Sequence, residues 1–464
     1  MSDAGAPAVR LGTPTGRAVI TAAVLGSGMT LLDGTVVNVA LRSIGEDLGA
    51  SLAQLQWITN GYLLSLASLI LLGGSLGDRF GRRRVFVVGT AWFALASLLC
   101  GLAPTPEVLI VARVLQGAGG ALLTPGSLAM IQGAFAREDR AAAIGAWSGL
   151  GGIATALGPV VGGVLIDQAS WRWIFLINLP LALVTIAVAQ RAVPETRDLG
   201  ASHHLDLIGA VLATATLGST TYALIAWGGS LAPYVAGLAV LGGAAFVLTE
   251  KREREPMLDL AIFSDRTFSA ANALTLLVYA ALGAILFFLT LQLQTTGGYT
   301  ALAAGTATLP MTVSLLLLAA RGGRLAARIG PRVPMSLGPV VMAVGTLLLL
   351  RIGADVVYWR DVLPGITVFG LGLALLIAPL TATVLAAAPD DHAGLASGVN
   401  NAVARAGSLL AVAAVPVAVG LGGEQYADPV ALDAAFGSAM QACAALLLAG
   451  GLLSWLTIRD PVTR

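Results

Sequence analysis

The chain is poor in the residues that staple small secreted domains or hold metals: its 464 residues include two cysteines and three histidines. Cys100 and Cys443 both fall inside apolar stretches, which argues against a disulfide framework or a metal site and leaves them as small packing hydrophobes. Charge is equally scarce. Asp, Glu, Lys and Arg make up 11% of the chain and hydrophobic residues 57%, where a soluble domain carries about 25% charged residues. With a mean hydropathy of +0.86, so much apolar surface has no place in a soluble core. Lysine is almost missing, with Lys251 the single one among 26 cations; a GC-rich bacterial genome would produce that bias. A net charge of +1 offers nothing to nucleic acid. No G-x-x-x-x-G-K-[ST] run is present to cradle a nucleotide, so ATP hydrolysis is not the expected energy source and no cofactor is implied. His203, His204 and His392 all fall between the apolar stretches, which argues against a histidine proton relay, and no catalytic grouping of Ser, His and Asp suggests an enzyme.

What is abundant is apolar sequence in lengths of about 20 residues, enough to cross hydrocarbon as a helix. The 57 glycines and 20 prolines fit that setting, since both are commoner in membrane helices than in soluble ones. Fourteen spans are predicted: 17–41, 55–76, 85–103, 108–135, 142–166, 173–189, 207–227, 235–248, 268–293, 301–320, 333–350, 362–387, 395–419 and 434–456. They group as six, two and six. The expected organisation is a tail over 1–16, a six-helix half over 17–200, an inserted pair over 201–265 and a second half over 266–464. No small-residue cleavage site follows the first apolar run, so that run is expected to remain as an anchor.

The loops between spans divide the cations sharply. If the N-terminus is cytoplasmic, one set of loops carries twenty Lys and Arg and the opposite set only Arg42, Arg172, Arg351 and Arg360, with Arg113 and Arg405 inside spans. Positive charge is retained on the cytoplasmic side, so both termini are expected there. A weak repeat supports paired halves. Gly73 to Arg84 reads GGSLGDRFGRRR and Gly322 to Arg332 reads GGRLAARIGPR, each following the second span of its own half. Paired halves are the expected build of a secondary transporter that rocks around a central site.

Five segments in order resemble the major facilitator superfamily, and more narrowly its fourteen-helix drug:proton antiporter branch. Gly74, Gly77, Asp78, Arg79, Gly81, Arg82 and Arg83 are similar to the superfamily's cytoplasmic loop signature. Arg113, Gln116, Gly117, Gly119 and Gly120 resemble its fourth-helix signature, and Gly149 to Gly163, with Gly158, Pro159 and Gly162, its antiporter-associated fifth-helix signature. Leu32 to Ala40 (LDGTVVNVA) and Trp171 to Pro180 (WRWIFLINLP) resemble stretches specific to the branch. There are departures: Arg42 stands where the branch usually has proline, Ala327 replaces an acidic residue in the second loop copy, and Ala406 and Leu409 do not follow the pattern that Asn401, Arg405 and Gly407 resemble. The resemblance implies an all-α membrane protein in the plasma membrane, monomeric, with lipid, protons and a small amphipathic compound as its partners.

Several residues are candidates for function. Asp33 lies about 12 Å and Arg113 about 8 Å below the same end of their spans, at 1.5 Å per residue, so the two can meet. Ionisable groups at membrane depth usually mark ion or substrate paths, and Asp33 is the candidate proton carrier with Arg113 tuning it; a static tie between helices is the alternative. Arg405, with Asn401 one turn before it, has two open readings, substrate contact or hydrogen bonds to freed backbone carbonyls. Asp78 with its arginines is a candidate gate latch or simply a topology signal. The glycines of span 5 make either ordinary small-residue packing or a bendable, proton-tight seam. Asn38, Asn60, Tyr62, Trp147, Tyr279, Phe288, Gln292, Asn401 and Arg405 are the candidate lining of a substrate cavity, although most isolated aromatics in spans simply pack. The function expected is proton-driven efflux of antibiotics or similar compounds, with a dedicated exporter of one endogenous metabolite as the alternative. Nutrient symport and a non-transporting role fit the motifs less well.

Overall fold

The computed structural model describes residues 9–197, 205–388 and 393–460. His203, His204, His392 and the expected boundary at 200/201 lie outside the described residues. Among those residues, fourteen helices are long and apolar enough to cross a bilayer. They are α1 (Pro14–Leu48), α2 (Leu52–Phe80), α3 (Arg82–Gly101), α4 (Pro106–Ala134), α5 (Arg137–Gln168), α6 (Trp173–Ala192) and α7 (Leu207–Ile225). Then follow α8 (Ala232–Arg252), α9 (Arg266–Thr295), α10 (Ala301–Ile329), α11 (Arg332–Arg351), α12 (Tyr358–Ala386), α13 (Gly394–Ala418) and α14 (Pro429–Thr457).

The helices outrun the apolar windows because polar residues at their ends still favour helix. α1 does not stop at Leu41 as predicted but runs to Leu48, where Gly49 at φ 61 caps it. With Arg42 in place of proline nothing breaks the helix, and Arg42 forms an i,i+4 ion pair with Glu46 at 2.8 Å. α2 starts on a capping box, Ser51 accepting from the Gln54 N–H while the Gln54 side chain accepts from Ser51, which satisfies two otherwise orphaned donors. α10 is interrupted at Thr308, because Pro310 has no N–H to continue the ladder.

The two halves pack alike. In the first half α4 lies against α2 and α3, α1 against α5 and α6; in the second α12 lies against α10 and α11, α9 against α13 and α14. Small residues let these backbones approach. A Cβ at Gly117 of α4 would stand 2.3 Å from the Tyr62 carbonyl oxygen and 2.1 Å from Ser65 Oγ on α2. The loop signature has the same logic in both halves. Gly81 (φ 106) and Gly330 (φ 87) turn the chain between helices in a region that side chains rarely enter. A carboxylate from the segment after each half's sixth helix then receives the next helix: Glu195 Oε1 accepts from Arg83 N (3.0 Å) and Asp460 Oδ1 from Arg332 N (3.0 Å). The second half therefore has a carboxylate at this turn although Ala327 removed the one expected from sequence.

The halves meet along two seams, α2 against α13 and α5 against α10. α7 packs over the first seam, touching both α2 and α13, and α8 packs mainly on α7. At the end of the bundle away from the termini the seams are clasped. Gln56 Nε2 donates to Val412 O (2.7 Å), Tyr426 Oη to Ala50 O (2.7 Å), Gln294 Nε2 to Val39 O (2.9 Å), and Arg42 donates to Gln294 O. Burial, with Glu424 and Glu46 nearby, pushes the Tyr426 phenol above its usual value, so it stays a donor at ordinary pH. Asp167 at the end of α5 accepts from Ala301 N (3.0 Å) and Leu302 N (2.9 Å), a carboxylate on the positive end of α10. Towards the other end α5 and α10 part: a Cβ at Gly163 would meet Leu302 Cα at 2.4 Å, but at Gly145 or Gly149 it would meet nothing within 4 Å.

Gly117→Ala should therefore force α2 and α4 apart and destabilise the protein by about 1–3 kcal/mol, whereas Gly149→Ala, facing open space, should leave the melting temperature unchanged. Thermal unfolding in one detergent compares them, and equal effects would contradict the packing described.

Candidate functional site: a buried charge network between α1 and α4

Asp33 and Arg113 meet as the sequence leads one to expect, Nη1 to Oδ2 at 2.5 Å, with side chains 0% and 1% exposed. Neither charge survives there alone, since burying an ion pair stabilises only when its remaining donors and acceptors are also answered. Here they are. Gln116, one turn along α4, accepts from Arg113 Nη1 at 2.6 Å and donates through Nε2 to Asp33 Oδ1 at 2.8 Å. Arg113 Nε donates to the Ile58 carbonyl of α2 at 3.0 Å. The guanidinium lies over the Tyr62 ring at 4.4 Å and near that of Phe175 at 5.6 Å, so aromatic faces cover what hydrogen bonds leave bare.

Around this centre stand residues that the sequence reading did not assign. Ser97 of α3 accepts from Gln116 Nε2 at 2.8 Å and from Asn178 Nδ2 of α6 at 3.4 Å. The available signal was polarity: Ser97 and Asn178, like the signature residue Gln116, are uncharged hydrogen-bonding residues in apolar spans, and all three are fully buried. The WRWIFLINLP segment supports the site along its length. Trp171 Nε1 and Arg172 Nη1 donate to Asp47 of α1 at 3.0 and 2.6 Å, Phe175 covers Arg113, and Asn178 holds Ser97.

The expected cavity set divides. Tyr62 belongs to the charge site, its hydroxyl donating to Thr30 O at 3.3 Å. Phe288 is fully buried and stacks edge-on with Phe287 in the core. Gln292 is likewise buried, donating to Asp433 of α14 at 2.6 Å. Trp147 Nε1 donates to Ser27 Oγ at 3.0 Å and ties α5 to α1. Tyr62, Phe288 and Gln292 are thus enclosed between helices, while Trp147 is half-buried. Asn38 is half-buried and makes no side-chain hydrogen bond to a described residue, and Asn60 is fully buried with both side-chain polar atoms unpartnered. Tyr279 and Arg405 are partly buried, and Asn401 is exposed and donates to Ser397 O at 3.0 Å. Arg405 makes no hydrogen bond or ion pair with a described residue.

Among the gate residues, Asp78 pairs with Arg82 at 2.8 Å, and Arg82 also donates to Ala129 O of α4 at 3.3 Å. Arg79 lies over the Phe80 ring at 5.0 Å. Among the described residues this pair stays within the first half, and Glu195, which the sequence reading missed, joins it by ion pairs to Arg83 (3.6 Å) and Arg84 (3.8 Å). A Cβ at Gly74 would stand 3.8 Å from Pro125 of α4, and Gly77 is buried with open space at its Cβ position. On α5, a Cβ at Gly158 would strike Thr35 Oγ1 at 2.3 Å, and one at Gly162 would strike Val36 of α1. Pro159 contributes its carbonyl to the contact with Gly305 of α10, 2.3 Å from an added Cβ. The signature is thus a packing seam in its second part and not at Gly149.

Fourteen membrane helices in two like-packed halves, with an enclosed charge network and a seam between halves, define a multi-pass membrane transporter rather than an enzyme. A family model described as Major Facilitator Superfamily matches residues 23–412, and the chain belongs to that superfamily. It is 35% identical to the multidrug resistance protein Stp of Mycobacterium tuberculosis over 84% of this chain and 73% of that one. It is 36% identical to the tetracenomycin C resistance and export protein of Streptomyces glaucescens (86% and 75% covered). It is 34% identical to the methylenomycin A resistance protein of Bacillus subtilis (95% and 94% covered). Among solved structures, the fold is similar to the inward-open xylose transporter XylE from E. coli, with TM-score 0.67, 13% identity and 96% of each chain covered.

Removing one member of the buried pair should cost about 3–5 kcal/mol, because the other charge is left unanswered. Arg113→Leu alone should therefore unfold at a clearly lower temperature, and the double variant Asp33→Leu with Arg113→Leu should recover most of that loss. A thermal double-mutant cycle reads the coupling, and additive losses would show that the pair is not the unit described.

Proposed function

We propose that the chain exports small amphipathic organic compounds, antibiotics among them, across the plasma membrane in exchange for protons, by alternating access and as a monomer with both termini cytoplasmic. The observation that carries the reading is a titratable carboxylate, Asp33, bound to Arg113 and Gln116 at membrane depth. Protonating Asp33 removes the charge that Arg113 answers, and an unpaired buried guanidinium is too costly to leave in place. Proton binding therefore favours a shift of α1 against α4, and α1 also carries the seam with α5. That linkage is what an antiporter needs, with the proton gradient as its energy source and no cofactor. The outward direction is supported by the relatives, two of them named for resistance or export of a single compound. Such names favour, as the second reading, a dedicated exporter of one metabolite or self-made antibiotic on the same scaffold.

Everted vesicles holding the full chain and an acid interior should accumulate tetracenomycin C, and a protonophore should stop the accumulation. Asp33→Asn should lower the rate by at least about tenfold with the protein level unchanged. Accumulation that ignores the protonophore, or that survives Asp33→Asn, would defeat the proton-coupled mechanism.

A further inference from the structure

We propose that the central site takes an amphipathic compound bearing an acidic group, a carboxylate or an ionised phenol, and that Arg405 is the side chain that receives it. The proposal deepens the export reading and rests on it, since a compound must enter this space to be carried.

The first ground is charge balance. Asp33 and Arg113 answer each other at 2.5 Å. Arg405 stands at the middle of α13, partly buried, and makes neither a hydrogen bond nor an ion pair with any described residue. The carbonyls of α13 that it could in principle have taken as acceptors do not hold it. An unanswered guanidinium inside a membrane bundle is expensive, and such groups face a cavity or a partner.

The second ground is direction. Gly398, Arg405 and Val412 recur every seven residues on α13, two helical turns apart, and so share one face to within about 20° per step. Both flanking members face α2: a Cβ on Gly398 would lie 2.6 Å from Leu71, and Val412 O accepts from Gln56 at 2.7 Å. Arg405 therefore leaves α13 towards the first half, across the plane on which the halves meet.

The third ground is independent of charge. Asn60 lies on the α2 face that Gln56 and Leu71 define, one turn along from Gln56. The antiparallel contacts of Gln56 with Val412 and of Leu71 with Gly398 bring Asn60 within about a turn of Arg405. Asn60 is 0% exposed, and both its amide nitrogen and its carbonyl oxygen lack a partner. Leaving such a group unpaired costs about 1–3 kcal/mol, and a ligand with an oxygen acceptor beside its acidic group would relieve that cost at the amide nitrogen. A guanidinium and a free amide at one level of the seam suit a carboxylate or phenolate on an aromatic body. A cationic compound would meet like charge there and leave the guanidinium unanswered.

The test uses two probes of one shape and opposite charge, 9-anthracenecarboxylate and 9-(aminomethyl)anthracene at pH 7. Binding to the purified full chain in lipid nanodiscs is followed by fluorescence anisotropy, with protein-free discs as the blank. Wild type should bind the carboxylate at least about tenfold more tightly than the ammonium, about 1.4 kcal/mol. Arg405→Gln should erase that preference, Arg405→Lys should keep most of it, and Asn60→Ala should weaken carboxylate binding while leaving the sign of the preference. Wild type that binds the ammonium as well as or better than the carboxylate, or that binds neither, overturns the proposal, as does an unchanged preference in Arg405→Gln. A preference for the carboxylate in wild type, lost in Arg405→Gln, alongside vesicles that export nothing would defeat the export reading and leave the anion site standing.

Discussion

A carboxylate and a guanidinium at the depth of hydrocarbon can persist only if every donor and acceptor on them is satisfied, and that demand organises the first half of this protein. Asp33 comes from α1, Arg113 and Gln116 from α4, the Ile58 carbonyl and Tyr62 from α2, Ser97 from α3, and Phe175 and Asn178 from α6. Five helices converge on one ion pair, so anything that changes its charge state is felt by all of them. The alternative solution, an apolar core of the same volume, would be as stable or more so and would have nothing to titrate.

The glycines have the complementary task. Gly158 and Gly162 leave room for the Thr35 and Val36 side chains of α1, and Gly163 lets α5 meet the backbone of α10 at Leu302, close packing that small residues allow. Those contacts join α5 to α1 on one side and to α10 on the other. In the proposed cycle, a displacement of α1 that began at Asp33 would reach the seam between the halves through α5. At the end away from the termini that seam is held by discrete hydrogen bonds and by Asp167 on the start of α10, interactions that break as units rather than yield gradually.

The span count, the paired halves and the meeting of Asp33 with Arg113 were all legible in the sequence, because hydropathy windows and rare intramembrane charges are strong local signals. What was not legible was the rest of what long-range contact sets. Glu195 and Asp460 look like ordinary loop acids, and their placement against the turns at Gly81 and Gly330 depends on where each half's sixth helix ends. Tyr62, Phe288 and Gln292 are aromatic or amide residues in spans, and composition cannot say whether such a residue faces a cavity or a neighbouring helix. Asn60 and Gln292 illustrate this. Both are buried amides, yet Gln292 finds Asp433 and Asn60 finds nothing, a difference that exists only in three dimensions.

An anionic cargo would alter the energetics of the proposed cycle. Moving one charge through a membrane potential is worth about 2.3 kcal/mol per 100 mV. When a cation leaves in exchange for one proton, the two charges cancel and only the pH gradient drives export. When an anion leaves and a proton enters, both movements carry positive charge inward, and the potential contributes about twice that figure per cycle. Placing a second, unanswered positive charge on the opposite half from Asp33 is then more than a selectivity device. On the proposed reading the transporter would draw on membrane potential and pH gradient together, with Asp33 holding the proton on α1 and Arg405 holding the acid on α13, across the seam where the two halves meet.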